Sequence, residues 1–184
     1  LSLSEFKTMI AAAGVDIRAG ERRFSELDAA SGGDGDHGTA IVTAFNAMAK
    51  ASGDDFKGYL KALSDALQNE ACGSTSTLYG AWLQGMSDAA PEGAAELDAA
   101  ALAKVFNGGV EELGFTTRAR VGDKTLMDAL IPATEAMVLA RGEGVGAMLR
   151  KAAEAAEKGA EATCAMRASF GRAKNLGDRS VGPR

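Results

Sequence analysis

Gly32-Gly33-Asp34-Gly35-Asp36-His37-Gly38-Thr39 places two carboxylates and the chain's single histidine within four residues, on a backbone loosened by four glycines. Apolar residues follow at helical spacing, with Ile41, Phe45 and Met48 at i, i+4 and i+7. The loop therefore opens a helix. Free N–H groups at a helix start favour anions such as phosphate. The carboxylates would repel that phosphate unless a cation lay between them. Mg²⁺ prefers few protein oxygens together with phosphate oxygens and water. The stretch thus reads as carboxylate–Mg²⁺–phosphate. It also reads as a Gly/Asp-rich loop that only caps a helix.

The same alternation of polar loop and apolar helical stripe continues in both directions. Upstream, Phe6, Met9 and Ile10 predict a helix ending near Gly14. A second is predicted from Val15 to Ala30, with Ile17, Phe24 and Leu27 as its apolar contacts and Asp28 near its end. Downstream, the helix from about Gly38 runs to Ala51, and Ser52-Gly53-Asp54 breaks it. Asp54 is expected to cap the next helix, where Phe56, Leu60, Leu63 and Leu67 form a core stripe. Gly73-Ser74-Thr75-Ser76-Thr77 then precedes Leu78, Trp82, Leu83 and Met86. Its four hydroxyls fit a self-capping helix start or a set of donors to phosphate.

Ser87 to Ala95, around Pro91, reads as a surface connection. The next helix is predicted over Leu97 to Leu113, with Leu102, Val105, Phe106, Val110 and Leu113 inward and Gly114 closing it. Gly108-Gly109 in its middle permits close helix packing. Thr116 to Val121 is a polar, basic loop. Gly122-Asp123-Lys124-Thr125 opens a helix with Leu126, Leu130, Ala133 and Met137 on one face, Asp123 as its N-cap, and Pro132 expected to kink or split it. A last helix carries Val145, Met148, Leu149, Ala152 and Ala156, its Glu/Lys face turned to solvent. Ala162 to Phe170 leads into a basic, turn-rich segment, Gly171 to Ser180.

A length of 184 residues suits one domain, 1–184, with a full core. Aromatics at 5% and only 3 prolines favour closely packed helices over a sheet. Eight helical segments and no strand pair predict an all-α, eight-helix up-and-down antiparallel barrel or bundle. The net charge of −5 argues against nucleic acid as the main partner. No apolar run approaches a membrane span, and no signal peptide opens the chain, so a cytoplasmic protein is expected. Cys72 and Cys164 lack CxxC or zinc spacing and read as two buried thiols.

Four stretches in this order resemble a known family. They are Leu27-Asp28 with Gly33-Asp34-Gly35-Asp36-His37-Gly38, the Gly73–Gly80 loop, Gly122-Asp123-Lys124-Thr125-Leu126, and Gly171-Arg172-Ala173 with Leu176-Gly177. The sequence resembles the nucleotide-binding L subunit, or L domain, of dihydroxyacetone kinases. The resemblance implies an eight-helix barrel that holds ADP or ATP at one end through two Mg²⁺ ions. It implies Asp28, Asp34 and Asp36 as metal ligands. It places His37, Gly38, Thr39 and Ala40 against the phosphates, with Ser74 and Thr75 bonding them from the second loop. Thr117 and Leu126 border the nucleoside, Arg172 reaches the nucleotide, and no catalytic residue is assigned on this chain.

Three departures accompany the resemblance. Five residues separate Asp28 from Asp34, where the family usually has four. Ser76-Thr77 stands where the family carries Gly and a small residue or Pro. The family continues with an Asp-Pro-Gly element, whereas this sequence stops at Gly182-Pro183-Arg184, and that element's contact is expected to be absent or truncated.

In such kinases the ketose is bound on a separate subunit or domain through a histidine there. With one histidine, already in the nucleotide motif, this chain reads as the half that presents the phosphoryl group to a ketose-binding partner subunit. A phosphotransferase-system protein that recharges bound ADP, or exchanging ATP, is the donor, and erythrulose is an alternative sugar. A homodimer stays open. Two alternatives remain: the nucleotide domain of a fatty-acid kinase, whose loop typically has Thr in place of His37, and a non-catalytic regulatory module.

Overall fold

A computed structural model of the chain describes residues 1–30, 32–70 and 73–182. The Cys72 thiol lies outside the described residues. These form seven α-helices: α1 (Leu3–Ala30), α2 (His37–Met48), α3 (Phe56–Glu70), α4 (Ser74–Ala89), α5 (Ala99–Thr116), α6 (Met127–Ala140) and α7 (Val145–Ala162). A 3-10 turn, Thr163–Ala165, continues α7, and further 3-10 structure, broken by a kink at Gly177, spans Arg172–Ser180. Each α-helix packs on the next in sequence, which is the expected up-and-down all-α order. The described residues form no strand; Ser2 and Glu96 make an isolated antiparallel bridge.

The core is built on the predicted α3 stripe, while Phe24 and Leu27 of α1, expected as apolar contacts, lie along a groove instead. Phe56, Leu60, Leu63 and Leu67 on α3 are 0–1% exposed. They meet Leu83 and Met86 of α4, Leu102 and Val105 of α5, Met137 of α6 and Met148 of α7 in one cluster. A smaller cluster of Leu113, Ala119 and Met127 lies beside it, with Leu78, Leu126 and Phe170 packed against it. No helix among the described residues is long and apolar enough to cross a membrane.

Several helix boundaries differ from the sequence reading, each for a packing reason. Gly14 does not end a helix. It is buried, and a Cβ there would press on the Phe45 ring of α2, so α1 runs unbroken for 28 residues, about 42 Å. Gly114 does not close α5, which continues to Thr116 with its cap at Thr117. The cap before α3 is Asp55, not Asp54: its carboxylate accepts the Gly58 N–H at 2.6 Å and the Gly93 N–H at 2.8 Å. Pro132 does not split α6, which runs on through it. The Asp128 carbonyl, four residues before the proline, lies where a Cβ on Gly159 of α7 would sit. Nor is Asp123 the N-cap of α6. The helix begins at Met127, and buried Asp128 in its first turn takes the backbone N–H groups of Gly122 and Thr125.

Candidate functional site

The end of the barrel that carries the α1–α2 and α3–α4 loops is where three of the sequence motifs meet. The first loop is drawn tight by its own backbone. Gly33 donates to the Asp28 carbonyl at 2.9 Å and Gly32 to the Ala29 carbonyl at 3.2 Å. Gly32 and Gly35 have φ of 81° and 78°, in the left-handed region that glycine enters without strain. At Gly33 the need is different: a Cβ would overlap the Asp28 carboxylate. The Asp28 Oδ2 in turn accepts the Gly35 N–H at 2.8 Å. One carboxylate oxygen each from Asp28, Asp34 and Asp36 lies within 4.8 Å of the others.

These carboxylates line a cavity of about 280 Å³ with His37 and Ala40 of α2, Gly73, Ser74 and Thr75 of the second loop, and Arg172 and Ala173 of the C-terminal segment. Two helices therefore start at this cavity, α2 at His37 and α4 at Ser74. In α4 the first turn closes with the Thr77 N–H on the Gly73 carbonyl at 3.2 Å, so the amides of Ser74 and Thr75 precede the helical ladder. Helix starts of this kind present partial positive charge. The Arg172 guanidinium pairs with Asp34 across a sequence separation of 138 residues.

Charge repulsion marks the same place. Arg172 beside Asp34 holds that carboxyl below its usual range, with a further hydrogen bond from Asp36 acting the same way. Asp36 is raised, because its hydrogen bond with Asp34 and the neighbouring negative charge favour its protonated form. Three carboxylates face one guanidinium, which leaves two negative charges without a partner if all three are ionised. Clustered hard oxygens with surplus charge suit a Mg²⁺- or Ca²⁺-type cation. An anion bound at the two helix starts would complete the shell of such a cation.

Not every predicted site residue faces this cavity. The buried Gly38 amide is taken by the Ser25 hydroxyl at 3.1 Å, and a Cβ at Gly38 would overlap the Glu21 carbonyl. The Thr39 hydroxyl turns to Glu21 at 3.1 Å. Thr117 caps α5, and its Oγ1 accepts the Ala119 N–H at 3.2 Å. Leu126 packs in the smaller apolar cluster with Leu78 of α4. Ser76 is buried and Thr77 bonds back to Gly73, so the unusual Ser76-Thr77 pair does not line the cavity. Cys164 is a free, half-buried thiol. The sequence reading missed the Arg172–Asp34 pairing, which no local pattern signals. It also missed Asp128, whose only signal was a carboxylate in the first turn of a largely apolar helix.

His37 and Asp28 also border a second opening. A groove of about 610 Å³ separates Arg23, Phe24 and Leu27 on α1 from Glu157 and Ala160 on α7.

Comparison with known proteins gives these features a context. The model of the DAK2 domain matches residues 32–184. The D-erythrulose kinase of Mycolicibacterium smegmatis is 31% identical over 170 residues, covering 88% of this chain and 29% of that protein. Dihydroxyacetone kinase 2 of Saccharomyces cerevisiae is 34% identical over 152 residues, 77% of this chain and 24% of its own length. The ADP-binding subunit DhaL of a PEP-dependent dihydroxyacetone kinase from Listeria innocua is 27% identical over 92% of this chain and 81% of its own. The chain thus spans less than a third of the two kinases and most of the subunit. In fold it is similar to the dihydroxyacetone kinase of C. freundii in complex with AMP-PNP and Mg²⁺. The TM-score is 0.74 at 22% identity, over 98% of this chain and 32% of that one.

Proposed function

The chain belongs to the DAK2 domain family, and on that premise we propose that it is the nucleotide-binding half of a short-ketose kinase. It holds ADP or ATP with Mg²⁺ and transfers a phosphoryl group to dihydroxyacetone or a related ketose held by a partner subunit or domain. One observation carries the reading: three carboxylates and two helix starts line the same cavity. Carboxylates alone attract a cation and helix starts alone attract an anion. A metal–phosphate pair satisfies both. The names of the relatives as erythrulose and dihydroxyacetone kinases and as an ADP-binding subunit support it. So does the AMP-PNP and Mg²⁺ complex of the C. freundii neighbour.

In this reading Asp28, Asp34 and Asp36 hold two Mg²⁺ ions, which supply shielding of phosphoryl charge when bound. His37 and Ala40 at the start of α2, with Gly38 and Thr39 between them, border the phosphates from one side. Ser74 and Thr75 bond them from the other. Arg172 bonds the nucleotide from the C-terminal segment, and Thr117 and Leu126, which do not line the cavity itself, border the nucleoside where it extends beyond it. The chain contributes placement and electrostatics rather than a covalent step, as phosphoryl transfer requires. Its one histidine is at this cavity, so the ketose is held elsewhere. The recharging donor is a phosphotransferase-system protein or ATP.

The binding half of the proposal is tested by melting chelator-stripped protein with ADP, with Mg²⁺ and with both. Only the pair should raise Tm, by roughly 5–10 °C at about 100 times Kd. An equal rise from ADP in excess chelator would refute the metal–phosphate arrangement. The transfer half is tested by adding a ketose-binding kinase subunit, dihydroxyacetone and a phosphoryl donor. Absence of ketose phosphate despite tight nucleotide binding would make the chain a nucleotide sensor.

A further inference from the structure

The turn Gly122-Asp123-Lys124-Thr125 does not line the cavity, yet it is bonded on two sides. On the inner side, the Asp128 carboxylate, 1% exposed, accepts the N–H groups of Gly122 and Thr125 at 2.6 Å each. Lys124 lies between those two clamped residues. It has φ of 59° and is the one non-glycine residue with positive φ among the described residues. A side chain with a Cβ resists that conformation. Such an outlier persists only where its surroundings fix it, and it points to a use.

On the outer side, the Lys124 Nζ donates to the Thr163 carbonyl at 2.8 Å. The Asp123 carbonyl accepts the Ser169 N–H at 3.1 Å. Thr163 and Ser169 bracket the segment that leads from α7 to Arg172. Further on, that segment is folded onto itself. The Ser180 hydroxyl accepts the Ala168 N–H at 2.9 Å, and the Gly182 N–H donates to the Cys164 carbonyl at 2.8 Å. Gly171, at φ 64°, then turns the chain so that Arg172 meets Asp34. A Cβ on Gly32 would collide with Leu176, so the segment also rests on the first loop.

We propose that Lys124 is a positioning residue for Arg172. Clamped by Asp128, it pins the C-terminal segment at Thr163 and thereby sets the guanidinium beside Asp34 at the nucleotide cavity. The inference rests on the reading of that cavity given above. Without the pin, the segment pays conformational entropy whenever Arg172 is placed, and ligand binding bears that cost. A rival role is local: a lysine on a carbonyl at a helix end stabilises the helix and nothing more. That role lowers the melting temperature but does not couple to Arg172.

The test uses the full chain with Lys124→Gly, Lys124→Met, Lys124→Arg, Arg172→Ala and the double variant Lys124→Met/Arg172→Ala. Lys124→Gly deletes the amine while suiting the left-handed backbone, so folding is retained even if the methionine variant is unstable. Mg–ADP affinity is read by calorimetry, and trypsin cleavage at Arg172 and Lys174 reports the hold on the segment without any ligand. Lys124→Gly and Lys124→Met should each weaken Mg–ADP binding roughly tenfold, the scale for residues that orient a ligand-touching group, and should speed cleavage. Lys124→Arg keeps a donor and should restore most of both. The double variant should bind no worse than Arg172→Ala alone, because both changes remove one interaction. Affinity unchanged in Lys124→Gly while Arg172→Ala weakens binding overturns the positioning role alone. So do losses that add in the double variant. No effect of Arg172→Ala overturns the role of Arg172 at the cavity, and the positioning role with it.

Discussion

Glycines do opposite work in two regions of this molecule. At the α4–α5 seam, Gly85 and Gly108 face each other. A Cβ on Gly85 would strike the Gly108 carbonyl, and one on Gly108 would strike the Ala89 side chain. Gly109 leaves room for the Trp82 indole in the same way. Here the missing side chain brings two helices together, and the contacts are made by backbone, the Ala89 methyl, the Trp82 indole and the aliphatic stem of Glu112. At the loop end, Gly33 brings a backbone against the Asp28 carboxylate, while Gly32 and Gly35 turn the chain with positive φ. The charged groups gathered there are three carboxylates against one guanidinium. The seam is complete within the protein; under the proposed function the loop end is completed by a cation and an anion. Stability and binding should therefore separate cleanly by substitution.

The largest expected effect lies in the core. Leu63 is 0% exposed, and Leu63→Ala should cost about 3 kcal/mol, a fall of roughly 6–12 °C in Tm, with Mg–ADP affinity of the folded protein unchanged. Next, Asp36→Asn should weaken Mg–ADP binding by about 100-fold or more, since it removes a charged hard ligand. The stripped variant should melt no lower than the parent, because Asp36 is pressed by Asp34. A variant that loses stability and keeps affinity would reverse the comparison.

Gly85→Ala puts a methyl against a backbone carbonyl that cannot swing aside. A loss of about 1–3 kcal/mol is expected in urea denaturation, again without a change in nucleotide affinity. Arg172→Ala is the smallest: about tenfold in Mg–ADP affinity, and under about 0.5 kcal/mol in the stripped protein. An affinity change below about twofold would return Arg172 to the surface.

The same contrast explains what the sequence disclosed. The α3 stripe was legible because burial repeats every three or four residues and leaves a written period. The Asp34-Gly35-Asp36-His37 cluster was legible because its members are adjacent in the chain. Gly14 and Gly114 misled, since a helix glycine looks the same whether it stops the helix or seats a neighbour. Asp123 failed as a cap because α6 begins only at Met127, and Asp54 lost to Asp55 for a related reason. A cap is chosen by which carboxylate reaches the free amides, and composition does not record reach. The pairing of Arg172 with Asp34 was beyond any local pattern.

The sequential order of the barrel also has a kinetic consequence. Each α-helix rests on the one before it, so the barrel can grow by closing short loops, the condition for rapid folding. The cavity obeys another rule, since Asp34 must find a partner 138 residues away. On refolding, helical signal and core burial should return first, and the capacity to hold nucleotide last.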